Sequence, residues 1–306
     1  MSTRTRPHNL VTLNELLPLA ERGGYAIGSF APRYTTMIGT VLRAAQRLRS
    51  PLIVQISNNE FRWYESSPAQ FAEEFYRALR DEQITVPVVL HLDHTKVMDV
   101  IETAIGAGFT SVMMDASEKP LDENIALSKE AVSYAHAHGA SAEAELGMIG
   151  TTDMIETDRD EELFTDPEEA ERFVRETGVD ALAVSVGTAH GVYMVRQPRV
   201  DYDRLAAIKA RTGAHMVLHG GSGVPADMMA RAIKLPGGGV SKINIATDLE
   251  QAFLQAIGRA KRMTDAECRA LPPEQLAAGS TAVERTVSDK ISNFVLSEGR
   301  AGDFRL

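Results

Sequence analysis

The sequence predicts a (β/α)8 TIM barrel, and three observations carry that reading. Apolar runs of strand length alternate with amphipathic stretches of helix length. The alternation repeats eight times. Many of the strand runs are β-branched without polar alternation, as expected of parallel strands covered on both faces. A doubly wound sheet usually uses five or six strands and would leave two units unexplained.

In chain order, the strand Ala26–Phe30 is followed by a helical pattern over Thr35–Leu48, and Leu52–Ile56 by Pro68–Asp81. Val88–Leu92 precedes Val97–Ala107, Ser111–Met114 precedes Asp122–His138, and Ser141–Leu146 precedes Asp166–Thr177. The last three pairs are Ala181–Val186 with Asp203–Arg211, Met216–Leu218 with Ala226–Ile233, and Lys242–Ile245 with a helix from Asp248 to Met263. Two long segments, Gly147–Thr165 and Gly187–Asp201, follow strands, where such barrels keep mobile active-site parts. Beyond Met263 the pattern changes to a turn at Pro272–Pro273 and an amphipathic helix to about Leu296. No composition shift marks an internal boundary. The expectation is one domain over residues 1–306, with the barrel at about 24–263 and a helical extension at about 264–306.

The chain has 306 residues, 44% of them hydrophobic, with 32 Lys and Arg against 42 Asp and Glu for a net charge of −10. No stretch approaches the roughly 18 uninterrupted apolar residues of a membrane helix. The N-terminus MSTRTRPHNL lacks the apolar segment of a signal peptide. One cysteine, Cys268, excludes an internal disulfide and agrees with a cytoplasmic setting. A pI near 5.4 argues against a nucleic-acid partner. Small molecules and other subunits remain as the expected partners.

Chemistry-bearing residues gather at the strand ends, in HLDH (91–94), MMDAS (113–117), EAELG (143–147), VGTAHG (186–191), LHGGSG (218–223) and KINIATD (242–248). A barrel brings these onto one rim. Three of the histidines, His94, His190 and His219, follow strands 3, 6 and 7, and three imidazoles with an open position form a recurrent catalytic zinc set. Asp93 stands beside His94. Four others, His91, His136, His138 and His215, read as hydrogen-bonded structural residues. The Gly220–Gly223 loop after strand 7 and Asn244–Thr247 at the end of strand 8 lie where barrels of this kind bind phosphate through backbone N–H groups and helix N-termini. A phosphorylated substrate follows.

These motifs, in this order and at roughly this spacing, resemble the class II, zinc-dependent ketose-bisphosphate aldolases, particularly the fructose- and tagatose-bisphosphate branch. The resemblance covers about Gly24 to Asp248, with a weaker echo in the C-terminal helix. It implies that His94, His190 and His219 hold one Zn2+ per chain, with Asp115 and Glu145 as carboxylates that approach the metal in alternative positions. It also implies a monovalent cation and a homodimer or homotetramer. Asp93 would be the acid/base at the C4 hydroxyl. Gly191, Gly220, Gly221, Ser222, Asn244, Ile245, Ala246 and Thr247 would hold the dihydroxyacetone phosphate half of a sugar phosphate. Retro-aldol cleavage between C3 and C4 needs a base at that hydroxyl and an electron sink for the carbanion, which zinc supplies as a Lewis acid. A Schiff-base aldolase would instead need an inward lysine, and strand 6, ALAVSVG, has none; Lys242 is the only near candidate.

Three departures from the family gather on the aldehyde side. Phe30-Ala31 stands where the family commonly has Phe-Asn. Gly150-Thr151-Thr152-Asp153 replaces a Gly-Gly-x-Glu run whose glutamate is proposed to move the C3 proton; Asp153 takes that catalytic role, one methylene shorter, with Glu156 the substitute under another alignment. Ser288 aligns with an arginine that helps bind the distal phosphate, with Arg285 one turn earlier. The aldehyde is thus expected to differ from glyceraldehyde 3-phosphate, with fructose 1,6-bisphosphate a poor substrate. Gln55 and Ser57 at the end of strand 2 are candidate contacts to the substrate, Met113 and Met114 read as core, and Asp158–Glu162 as a solvated loop face. An isomerase or epimerase using the same enediolate, and a non-catalytic family member, are the competing readings.

Overall fold

The computed structural model describes residues 6–149, 163–191 and 197–304. Eight parallel strands close into a barrel in sequence order: β1 (Ile27–Phe30), β2 (Leu52–Ser57), β3 (Val88–Thr95), β4 (Ser111–Met114), β5 (Ser141–Leu146), β6 (Ala181–Val184), β7 (His215–Leu218) and β8 (Val240–Ile245). β8 pairs back onto β1, Ser29 opposite Asn244. β4 and β5 have the predicted limits. β3 runs three residues further than its apolar stretch, carrying the backbone ladder through the polar residues Asp93, His94 and Thr95.

Helices α2 (Ile38–Arg47), α4 (Pro68–Asp81), α5 (Met98–Ala107), α6 (Leu121–Ala137), α7 (Pro167–Thr177), α8 (Tyr202–Thr212), α9 (Ala226–Ile233) and α10 (Thr247–Ala256) lie between and after the strands. The helix expected to reach Met263 stops at Ala256, because Gly258 adopts a left-handed φ of 71° that an α-helix cannot continue through. After α11 (Asp265–Arg269), α12 (Pro273–Asp289) packs against α10 and α2. Its Val283 and Val287, with Ile291 and Phe294 beyond it, join the main core. Among the described residues no helix is long and apolar enough to cross a membrane.

Two helices before β3 were not expected from the sequence. α1 (Leu13–Gly23) precedes the barrel and buries Leu13, Leu16, Leu17 and Ala20 against a layer formed by Ile27, Ile53, Val89, Met113, Ala183 and Val217 from alternating barrel positions. It closes the N-terminal end of the barrel with an apolar plug. α3 (Asn58–Trp63) follows β2 directly, capped reciprocally by Ser57 and Glu60. The barrel interior is therefore apolar at one end, and its polar residues collect toward the C-terminal ends of the strands.

Candidate metal centre and active site

A strand normally sends neighbouring side chains to opposite faces, so Asp93 and His94 should not serve one site. The pairing of β3 with β4 shifts register between Leu92 and Thr95, and His94 has φ 20°, a conformation disfavoured for a residue with a Cβ. This local break lets both side chains line the same cavity.

His190, after β6, lines the cavity with His94, and His219, after β7, meets both from a fully buried position beside it. The ring centroids of His94 lie 4.5 Å from His219 and 5.1 Å from His190, and one nitrogen from each of the three falls within 4.8 Å of the others. His94 Nδ1 is 2.8 Å from Asp115 Oδ2, and the other Asp115 oxygen accepts from the Ser117 hydroxyl. His219 Nε2 is 3.0 Å from Glu143 Oε1. His219 Nδ1 is 3.2 Å from Glu145 Oε2 but not aligned for a hydrogen bond. Among the described residues, His94 Nε2, His219 Nδ1 and Glu145 Oε2 are thus buried without hydrogen-bond partners. Buried polar atoms left this way are costly, and convergent imidazole nitrogens with one carboxylate oxygen, the far sides of the His94 and His219 rings held by carboxylates, form a donor set that fits zinc. Of the two candidate carboxylates, Glu145 offers the unpaired oxygen while Asp115 orients His94.

Electrostatics agree with a cation here. Burial opposes charge on His94, but Asp93, Asp115 and Glu145 outweigh it and lift its pKa to about 10. His190 is pushed down to about 3 by burial and by charge on its two neighbours. His91 behaves as a structural residue: it is fully buried, its Nδ1 lies 2.7 Å from Ser111 Oγ, and burial holds its pKa near 3. His136, His138 and His215 likewise bond to Asp180, the Tyr134 carbonyl and Glu21.

Asp93 is 6% exposed and accepts two amide N–H bonds, from Asn244 Nδ2 to Oδ1 (3.0 Å) and from Gln55 Nε2 to Oδ2 (3.1 Å). Burial pushes its pKa up, but charge on His94, Lys242 and His219 outweighs this and holds the carboxyl below the usual range. Lys242 is fully buried beneath the cavity, its Nζ 2.7 Å from Asn244 Oδ1 and 2.9 Å from Glu143 Oε2. It does not line the cavity, and its amine is committed to these partners, so the sequence's only Schiff-base candidate is excluded.

Gly191, Gly220, Ser222, Asn244, Ala246 and Thr247 also line the cavity. Gly220 has φ 68°, and a Cβ there would lie 2.2 Å from the Ala189 carbonyl oxygen, so only glycine permits this turn. The N-cap of α10, Ala246, has no side-chain acceptor, and Ser222 Oγ accepts from Asp248 N (3.2 Å). Leu249 N and Glu250 N both donate to the Ala246 carbonyl, so it is the start of the helix, at Ala246 and Thr247, that faces the cavity where an anion would sit. Gly221 and Ile245 do not line the cavity. Gly221 packs behind the loop, its N–H donating to the Asn244 carbonyl, and Ile245 is buried core.

The cavity measures about 1240 Å³, and its far side holds residues the motifs did not indicate. Arg33, with φ 62°, pairs with Glu60 (2.8 Å) and with Glu250, which also accepts from the Tyr64 hydroxyl. Its charge is thereby neutralised. Arg262 lies over the Trp63 ring at 4.8 Å, and Arg62 bonds to Asn59. Neither arginine has a carboxylate partner among the described residues. Ala31, Gln55 and Ser57 also line the cavity, with Gln55 engaged on Asp93 and Ser57 capping α3.

Ser288 is a correction. It sits on α12, where its Oγ donates to the Glu284 carbonyl (2.6 Å) and accepts from Arg47 (2.8 Å), and it does not line the cavity; nor does Arg285. α12 lies across α2 and α10, so a residue at 288 says nothing about the distal end of the substrate, and one ground for expecting poor fructose bisphosphate cleavage falls away. Asp153 and Glu156 lie outside the described residues.

Comparison with known proteins agrees with this geometry. The family model for class II fructose-bisphosphate aldolase matches residues 11–300. The chain is 36% identical to a fructose-bisphosphate aldolase of Geobacillus stearothermophilus, over 96% of this chain and 99% of the relative. It is 40% identical to a 6-phospho-5-dehydro-2-deoxy-D-gluconate aldolase of Shouchella clausii, over 97% and 98%. The crystal structure of the YdjI aldolase from Escherichia coli K12 superposes with a TM-score of 0.79 at 31% identity, covering 95% of this chain and 99% of that one.

Proposed function

Since the chain belongs to the class II fructose-bisphosphate aldolase family and is an aldolase, hence a lyase, we propose that it is zinc-dependent and reversibly cleaves a ketose 1-phosphate with an anionic far end into dihydroxyacetone phosphate and an aldehyde. The observation that carries this reading is the convergence, at one cavity, of three imidazoles, an ionised buried Asp93 and the glycine-rich loop that follows His219. His94, His190 and His219 would hold the zinc with Glu145 at its edge, and the ion, when bound, supplies a Lewis acid for the ketone. The Gly220–Ser222 loop and the first turn of α10 seat the C1 phosphate, which fixes the register of the sugar. Asp93, held from below by two amides, takes the proton of the C4 hydroxyl as the C3–C4 bond breaks and returns it in condensation. A homodimer or homotetramer in the cytoplasm belongs to the same reading.

The anionic tail rests on Arg62 and Arg262, cations at the cavity wall without carboxylate partners among the described residues, while Arg33 is neutralised by its own two. The relative at 40% identity, a 6-phospho-5-dehydro-2-deoxy-D-gluconate aldolase, is consistent with this, since a phosphogluconate derivative carries a carboxylate. A hydrogen bond to a charged group is worth about 1.5–3 kcal/mol, and at 1.4 kcal/mol per decade even its lower end gives about tenfold discrimination. The test is kcat/KM over a panel of ketose 1-phosphates ending in phosphate, carboxylate or a neutral hydroxyl, read by NADH-coupled dihydroxyacetone phosphate release. Anionic tails should be preferred by about tenfold, and Arg262→Ala should narrow the gap. Equal use of neutral tails would remove the anionic subsite, and isomerised product without dihydroxyacetone phosphate would favour the isomerase.

A further inference from the structure

Lys242 is the buried group that the reaction leaves without a role, and it stands at a junction. Its ammonium contacts Asn244 Oδ1 at 2.7 Å on one side and Glu143 Oε2 at 2.9 Å on the other, with no solvent exposure. A side-chain amide has two orientations, differing in whether oxygen or nitrogen faces a given neighbour. With Nζ–H donating to Oδ1, the end of Asn244 left for Asp93 is Nδ2, which donates to Asp93 Oδ1 at 3.0 Å. The reverse orientation would set two acceptors against each other and the ammonium against an NH2 group. The other oxygen of Asp93 is handled in the same way. Gln55 Nε2 donates to Oδ2, and the far end of that amide is held by the Ser29 hydroxyl, which donates to Gln55 Oε1. Each oxygen of the base is thus aimed by an amide, and each amide is locked from behind by a donor. The lock on the Asn244 side is a full charge held in place by Glu143.

Resting on the aldolase reading above, we propose that Lys242 is a positioning residue of the C–C bond-making and bond-breaking step, acting on Asp93 through the orientation of Asn244. Lys242 never meets substrate. Its effect is confined to the group that handles the C4 proton, and it leaves the removal of the C3 proton of dihydroxyacetone phosphate to other residues. The purely structural alternative, a counter-charge for Glu143, makes a different forecast, because a weakened barrel interior would harm both half-reactions together.

The experiment compares the wild type with Lys242→Met and, because Lys242→Met leaves Glu143 buried and unpaired, with Glu143→Gln alone and the Glu143→Gln/Lys242→Met pair. Cleavage of a ketose 1-phosphate, exchange of the C3 proton of dihydroxyacetone phosphate with solvent deuterium, and bound zinc are measured on each zinc-loaded protein. Loss of Lys242 is expected to lower kcat for cleavage by about 10- to 100-fold, the usual range for a partner one step from the reacting group, with KM and bound zinc unchanged. C3 exchange should stay within about threefold of its reference protein. In an Asp93→Ala background, Lys242→Met should change residual cleavage by less than about twofold, since residues acting as a unit are not additive. Parallel loss of cleavage and exchange, or a full multiplicative loss on top of Asp93→Ala, would overturn the assignment. A wild-type protein that releases no dihydroxyacetone phosphate would overturn the aldolase substrate reading itself, whereas wild-type turnover with a fully active Lys242→Met overturns only the role of Lys242.

Discussion

Alanine at His94, His190 or His219 is expected to strip the metal and with it the activity, while the barrel still folds. His94 and His190 line the cavity and lie outside the apolar core clusters, so their removal takes no apolar packing from the core, whereas His219 is fully buried and its removal also leaves Glu143 without that partner. Substituting a partner that merely orients a ligand typically costs about 10–100-fold in metal affinity or activity, and removing one of three imidazoles should exceed that range. Asp115→Ala provides the graded comparison. Asp115 holds His94 Nδ1 at 2.8 Å, so its loss should fall within 10–100-fold, well short of the histidine variants. Zinc content by atomic emission, read beside circular dichroism, checks the series. Tight stoichiometric zinc in all three histidine variants would overturn the assignment of the centre.

Asp93→Ala carries the second large effect. The variant should keep its zinc and lose cleavage by roughly 10²–10⁴-fold, the ordinary contribution of a positioned general acid or base. Exchange of the C3 proton of dihydroxyacetone phosphate should survive better, because that step belongs to a different base. Asp93 is held by Asn244 and Gln55 from within the barrel, whereas Asp153, the expected base for the C3 proton, follows β5 in the sequence and lies outside the described residues. Equal loss of both reactions with zinc retained would mean that Asp93 is not specific to the C4 proton.

Much of the barrel can be read from hydropathy alone, because parallel strands covered on both faces leave runs such as Ser111–Met114 whose limits coincide with the ladder. The placement of His94, His190 and His219 at strand ends was legible for the same reason. That Asp93 and His94 share one cavity was not, since it depends on a register shift between β3 and β4 that no local pattern encodes. α1 carried a local signal, the Thr12 to Glu15 capping box, but an eight-fold count of strand and helix has no place for a helix before the first strand. The pairing of Arg262 with Trp63 joins residues far apart in the chain and becomes visible only after folding. That Ser288 lies away from the cavity was not legible either, because its place is set by the packing of α12 on α2 and α10, which no local pattern encodes.

Zinc dependence of dihydroxyacetone phosphate formation is the most direct test. The purified protein, stripped with a chelator and then reconstituted, is assayed for dihydroxyacetone phosphate release from its best ketose 1-phosphate, with borohydride added during turnover in a parallel sample. Release should vanish on stripping, return with about one zinc per chain, and be insensitive to borohydride, because Lys242 is locked between Asn244 and Glu143 and does not line the cavity. Undiminished release from the stripped protein, or inactivation by borohydride through a trapped lysine adduct, would contradict the metal centre at His94, His190 and His219.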